Sequence, residues 1–229
     1  MKRDELAQFA RNLRWTIADR IGLHGEPVIG TPPYLEENAL KRWRELVANS
    51  TVYLEYGSGG STIEAVQVAA HVVTVESDRR YLSAVERRVA STPGATKSFH
   101  PIHGNVGLTI AWGYPLMTGK SPRRIDRWRR YASAPWPVLD RLGLAPDFIL
   151  VDGRFRAACV LQSFLALPAG SPCLFMVDDF KRRIKRYGAF LPFATDLEYV
   201  DEALVFRRAA EFDRDQCKRL LEHCLRDPK

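Results

Sequence analysis

The hydrophobic pattern of the chain alternates between two kinds of segment. Short apolar runs at 52–54, 72–75, 148–151 and 173–177 have the length and side chains of strands buried on both faces of a parallel sheet. Between them, apolar residues recur every three or four positions, as in helices with one buried side. Two helices are expected first, over 2–21 with Leu6, Phe9, Leu13 and Ile17 on one face, and over 34–48 with Leu35, Leu40, Trp43, Leu46 and Val47 available for packing. After the strand at 52–54, a helix starts near Ser61 with Ile63, Ala65, Val66 and Ala70 inside. The strand at 72–75 leads into a helix that Asp78 caps and that buries Tyr81, Leu82, Val85 and Val89. A third strand is expected at 97–102, and a helix at 154–167 that is apolar on most sides. A basic helix at 181–190, paired strands near 197–200 and 203–208, and a helix at 213–225 complete the chain. Strands alternating with helices predict an α/β fold, a doubly wound and mostly parallel sheet closed by an antiparallel C-terminal pair.

The stretch 51–78 carries the densest signal. Its first strand ends at Glu55, and Gly57, Ser58, Gly59 and Gly60 then turn the chain where side chains would block a close ligand or forbid positive φ. Ser61 and Glu64 have capping-box spacing, which starts a helix with its backbone N–H groups aimed into the turn. The next strand ends in Glu76, at about the interval expected of a carboxylate that grips a ribose beside a glycine-rich nucleotide turn.

An ExGxGG turn after a strand, with an acid closing the next strand, resembles motif I and the ribose-binding acid of the class I S-adenosylmethionine-dependent methyltransferases. The segments LEYGSGGST at 54–62, WGYP at 112–115 and VDGRFRAACVL at 151–161 together resemble a group of bacterial methyltransferase-like proteins of mostly unassigned substrate. The resemblance spans about 34–208. It implies a Rossmann-like, seven-stranded sheet with S-adenosyl-L-methionine as cofactor. Glu55, Gly57, Ser58, Gly59, Ser61, Thr62, Glu76, Ser77, Asn105 and Asp152 fall at its cofactor-binding positions. Pro33, Tyr34 and Leu35 fall where such proteins fold a lid over the cofactor, a role open beside that of merely covering the sheet edge. Asn105 matches the residue that meets the adenine, although a turn asparagine beside a glycine is an equal reading. An NAD-dependent oxidoreductase is the third reading, and Thr62 departs from it where GxGxxG needs glycine.

Division of the chain follows: a helical cap at 1–50, a Rossmann-like domain at 51–210 with a basic and aromatic insertion at 111–146, and a C-terminal helix at 211–229. The 229 residues suit one such domain. No apolar run reaches the roughly 18 residues of a membrane span, and the charged N-terminus is unlike a secretory signal. Cys159, Cys173, Cys217 and Cys224 lack CxxC spacing and read as free thiols, so a cytoplasmic protein is expected.

The net charge of +7 is concentrated. Segments 112–131 and 181–187 each carry a net of +5, so the rest of the chain is net negative. Both leave the edge where Glu55, Glu76, Asn105, Asp152 and Asp179 gather, the carboxyl ends of the strands, where ligands of doubly wound sheets bind. Those charges favour a small acceptor bearing phosphate or carboxylate. Trp112, Tyr114, Trp128, Tyr131 and Trp136 interleave with them, which also suits nucleic acid, the alternative reading; a solvated surface with tryptophans pinning the insertion is the plain one. Asp152, Asp179 and His103 are the candidate catalytic bases, and Asp152 has helix capping as its plain role. The pair Asp178 and Asp179 is too small a set for a hard metal, so no metal is expected.

Overall fold

The computed structural model describes residues 3–96 and 98–228. Lys2 and Lys97, the expected first residues of two elements, lie outside the described residues, as does the side chain of Leu6. In chain order the elements are α1 (Arg3–Arg20), α2 (Glu37–Ala48), β1 (Val52–Tyr56), α3 (Gly60–Ala65), β2 (His71–Glu76), α4 (Arg79–Ala90) and β3 (Ser98–His103). A small hairpin follows, β4 (Thr109–Ile110) and β5 (Tyr114–Pro115), and then α5 (Pro122–Ser133) and α6 (Trp136–Leu142). The second half runs β6 (Phe148–Val151), α7 (Arg156–Ala166), β7 (Leu174–Val177), α8 (Ile184–Tyr187), β8 (Ala194–Val200), β9 (Ala203–Arg208) and α9 (Arg214–Cys224).

The main sheet has seven strands in the order β3-β2-β1-β6-β7-β9-β8. Pairing is parallel from β3 through β7 and antiparallel for β7 with β9 and for β9 with β8. The seven-stranded, mostly parallel sheet with a terminal antiparallel pair is therefore present. From β1 the chain winds outward to β2 and β3, then returns to β6 on the other side of β1. That reversal opens a crevice between the carboxyl ends of β1 and β6.

Side chains alternate across the sheet into two cores. Tyr53, Phe148, Leu150 and Met176 join Trp43, Ile63 and Val85 on one face. Leu54, Tyr56, Ile149, Phe175 and Phe206 join Trp128, Phe155 and Phe164 on the other. Dense burial of aromatic surface on both faces fixes where each strand ends, and so fixes the edge that carries the chemistry.

Several expectations change. Residues 111–146 do not stand apart as an insertion: α5 places Ile125, Trp128, Tyr131 and Ala132 in the second core. Parallel strands need a crossover, usually helical, and α5 with α6 supply the one from β3 to β6. The basic stretch 181–190 is no single helix. It forms a 3-10 turn at Lys181–Arg183, the short α8, and a second 3-10 segment at Gly188–Phe193, interrupted by Gly188 and Pro192. Along α1 the expected apolar face is only partly covered: Ile17 is 52% exposed, while Thr16 is buried and its Oγ1 donates to the Thr109 carbonyl at 3.0 Å. This helix packs on the β4 hairpin instead of the sheet. No helix of the described residues is long and apolar enough to cross a membrane, and the four cysteines are free and buried.

Candidate functional site

The glycine turn sits where β1 and β6 end side by side. Asp152 N donates to Tyr56 O at 2.9 Å, and Gly57, at φ 97°, brings its backbone so close that a Cβ there would lie 2.7 Å from Gly153 N. Only glycine tolerates both conditions. Behind the turn, Glu55 is fully buried. Its carboxylate accepts from Tyr53 Oη at 3.0 Å, from Ser61 Oγ at 2.8 Å and from Thr62 Oγ1. Burial pushes its pKa up to about 7, against the pull of those hydroxyls.

Thr62 in turn accepts from Gly59 N at 2.9 Å. Glu55 and Thr62, expected to touch the cofactor, instead brace the turn from inside. The expected Ser61 and Glu64 capping box does not form: the helix starts at Gly60, and Glu64 pairs with Arg44 on α2, with Nε to Oε2 at 2.8 Å.

Glu76, 8% exposed, faces the cleft. Its Oε2 accepts from Ser58 N at 3.1 Å and Ser58 Oγ at 3.3 Å; its Oε1 accepts from Asp78 N at 2.8 Å and Ser77 Oγ at 3.0 Å. Burial raises its pKa, and the two backbone donors oppose that rise. Asp78 caps α4 as expected, accepting from Arg80 N at 2.9 Å and Tyr81 N at 3.0 Å. The tip of the β4–β5 hairpin leans over Glu76: Ser77 Oγ donates to Gly113 O at 2.9 Å. Trp112 at that tip is 83% exposed and held at φ 62°, left-handed for a bulky residue.

At the ends of β6 and β7 charges crowd together. Arg156, 4% exposed, binds Asp152 Oδ1 at 2.6 Å and the Asp178 carbonyl, and its Nη1 lies 3.6 Å from Asp178 Oδ2. The pKa values of Asp152 and Asp178 are raised, chiefly by burial, and the Arg156 charge pulls both back. For Asp178 the neighbouring Asp152 charge adds to the rise. Asp179, at φ 56°, pairs with Arg183 at 3.1 Å and Arg182 at 3.5 Å.

Together these elements enclose a cleft of about 1330 Å³, lined by Gly57, Ser58, Gly59, Ser61, Glu76, Ser77, Asp152 and Asp179 among others. Its outer wall is the segment between α1 and α2, including Pro33, Tyr34 and Leu35, which lie where the lid was expected. Arg80 fastens that wall through Asp19 Oδ1 at 2.5 Å and the Gly25 carbonyl. His103 and Asn105 are not in this cleft. They line an adjoining groove with Arg20, Arg79 and Arg127, and Asn105 Oδ1 accepts from Gly107 N at 2.9 Å, as a turn asparagine does. Burial, and then the Arg79 charge, lower the His103 pKa.

Sequence reasoning missed Arg156 and Arg154, although both stand in the quoted run after β6. The basic rim is partly paired: Arg129 with Glu222, Arg182 with Glu36 and Glu202, and Arg186 with Asp227. Of the five interleaved aromatics, Trp128, Tyr131 and Trp136 are core residues. Trp112 and Tyr114 line the cleft. Among the described residues no group of three or more His, Cys, Asp or Glu has metal-holding geometry.

No family model matches the chain, and no curated protein matches it. Among solved structures it is similar to a methyltransferase-like protein from Silicibacter pomeroyi DSS-3, at 26% identity and a TM-score of 0.71 over 89% of this chain and 99% of that one. Cofactor-bound Rv0187 from MTB shares the fold at 16% identity and a TM-score of 0.51, over 87% of this chain and 89% of that one. So does the O-methyltransferase from Bacillus cereus in complex with SAH, at 11% identity and a TM-score of 0.51, over 88% and 91%. In its seven-stranded fold and in this likeness, the chain is similar to the class I S-adenosylmethionine-dependent methyltransferases.

Proposed function

We propose that the chain transfers a methyl group from S-adenosylmethionine to a small anionic acceptor, in the cytoplasm, where its four free thiols stay reduced. The observation that carries this reading is the hydrogen bonding of Glu76. Two backbone N–H groups, of Ser58 and Asp78, fix the carboxylate, while its other two donors are the hydroxyls of Ser58 and Ser77. Hydroxyls rotate, so a ribose diol can take their places without disturbing the backbone bonds. Gly57, Ser58, Gly59 and Ser61 line the cleft beside it. The acids of the cleft suit a sulfonium and would repel a pyrophosphate.

When bound, S-adenosylmethionine supplies an electrophilic methyl group on a cationic sulfur. What the chain adds is chiefly position: holding nucleophile and methyl in line is worth about 7–11 kcal/mol. Asp152 and Asp178, both raised by burial, stand on the acceptor side of the cleft to take a proton from a hydroxyl or amine nucleophile. Asp179 is engaged by two arginines, and His103 faces the adjoining groove. Arg156 engages Asp152 and Asp178 as well, so what favours these two as bases is the rise that burial gives their pKa values.

Calorimetric titration tests the cofactor. S-adenosylmethionine is expected to bind in the micromolar range and NAD not at all, with binding lost in Glu76→Ala. Equal affinity of the wild type and that variant, or preference for NAD, would sink the reading.

A further inference from the structure

Arg154 leaves the end of β6 just before α7 and lines the cleft with Asp152 and Tyr114. The other guanidiniums of that side already have partners: Arg156 binds Asp152 and Asp178, Arg182 binds Asp179, Glu202 and Glu36, and Arg183 binds Asp179. The side chain of Arg154 has no ion pair or hydrogen bond among the described residues, and its Nε is shut off from solvent without a partner. Its backbone, by contrast, is anchored, with N donating to Tyr131 Oη at 3.3 Å and O accepting from Cys159 Sγ at 3.4 Å. A desolvated, unmet N–H is costly, and the cost is recovered only when an acceptor arrives. Arg154 thus stands in the cleft lining beside Asp152 and Tyr114, and its guanidinium charge acts on both.

We propose that Arg154 is the anion clamp of the methyl acceptor, taking a carboxylate or phosphate oxygen on its planar fork. The proposal rests on the methyl-transfer reading of the cleft. Arginine presents donors in a rigid geometry that matches both oxyanions, and an oxyanion completes the hydrogen bonding of a group that the protein leaves incomplete. The rest of the acceptor then lies between Asp152 and Tyr114, within reach of the acids that take its proton. Specificity thus comes from the one guanidinium of the cleft lining left for the acceptor, the others there being held in ion pairs.

The test needs no knowledge of the acceptor. Thermal melting at constant ionic strength, with chloride replaced by inorganic phosphate or by benzoate, reads oxyanion binding and separates the two sources; calorimetry then gives the dissociation constant. One of the two anions is expected to raise the melting temperature above that in chloride. Its affinity should fall at least about tenfold in Arg154→Gln and by less in Arg154→Lys, which keeps the charge but loses the fork. Arg127→Gln, in the adjoining groove, should leave it unchanged. Stabilisation by neither anion, equal affinity in wild type and Arg154→Gln, or a loss confined to Arg127→Gln would overturn the proposal. If Arg154→Gln does not fold, Arg154→Lys decides. S-adenosylhomocysteine titrated into the same samples keeps the two readings apart. Its failure to bind wild type removes the methyl-transfer reading, while the anion titrations still judge the clamp. Its unchanged binding to Arg154→Gln, with the anion lost, is the expected result.

Discussion

The two sides of the cleft meet their charges in different ways. On the glycine side, Glu55 and Glu76 are met by neutral donors, hydroxyls and backbone N–H groups of Tyr53, Ser61 and Thr62 for one and of Ser58, Ser77 and Asp78 for the other. On the β6 and β7 side, the partners are charged. Arg156 bridges Asp152 and Asp178, and Arg182 ties Asp179 to Glu36 and Glu202 across the molecule. A half wired by neutral donors keeps its hydrogen bonds without any balance of charge. A half held by a few shared charges depends on each of them, and Arg156 serves two carboxylates at once.

The largest effect should follow from cutting the charged half at Arg156. Arg156→Met leaves two buried carboxyls without their cation and is expected to cost about 3–5 kcal/mol near neutral pH. A carboxyl whose pKa is raised on folding binds more protons folded than unfolded. Stability therefore falls as pH rises from the ordinary carboxylate range, about 4, through the folded value. Without the guanidinium that window extends upward, so the deficit should be larger at pH 8 than at pH 5 in denaturant unfolding. An equal deficit at both would show that packing, not charge, is what Arg156 supplies.

Cutting the neutral half should cost somewhat less in stability and more in cofactor binding. Gly57→Ala forces a side chain into the left-handed region and onto the Gly153 backbone, for roughly 2–4 kcal/mol. S-adenosylhomocysteine binding should disappear with it. Gly59→Ala is the contrast. Its φ of 165° is extended, and its Cβ would meet only Tyr81 Oη at 3.3 Å, so a loss under about 1 kcal/mol is expected. Comparable losses at the two positions would mean that the turn tolerates displacement and is no rigid cradle.

The two sides also differ in what could be read from the sequence. Glu55, the glycine turn and Glu76 lie within about one βαβ unit, so spacing alone exposed them. Which of them faces the ligand was not visible, because burial of Glu55 behind Thr62 depends on how the turn closes. Arginines and aromatics at 112–136 read as a binding mixture. Yet Ile125, Trp128, Tyr131 and Ala132 recur at helical spacing and form the buried face of α5, a signal that the crossover rule alone could have recovered. The displaced capping box shows the limit of local motifs: Glu64 suits the box, but Arg44 on another helix claims it. Nothing in the spacing of 151–161 distinguished Arg156, buried in a charge cluster, from Arg154, which is left unmet.

Trp112 joins the two halves, and its replacement should give the smallest change in stability. It sits at the tip of the β4–β5 hairpin over Glu76, almost fully exposed and in a left-handed conformation that bulky residues avoid. Such strain persists where a function holds it. In Trp112→Gly the backbone strain is relieved and little packing is lost, so unfolding free energy should stay within about 1 kcal/mol of wild type. Affinity for S-adenosylhomocysteine, in contrast, should fall about tenfold, the worth of one aromatic face stacked on a base. A variant that melts like the wild type but binds less tightly would make the hairpin tip a wall of the cofactor site. If the affinity is unchanged, the adenine lies elsewhere, and the adjoining groove of His103 and Asn105 becomes the place where it binds.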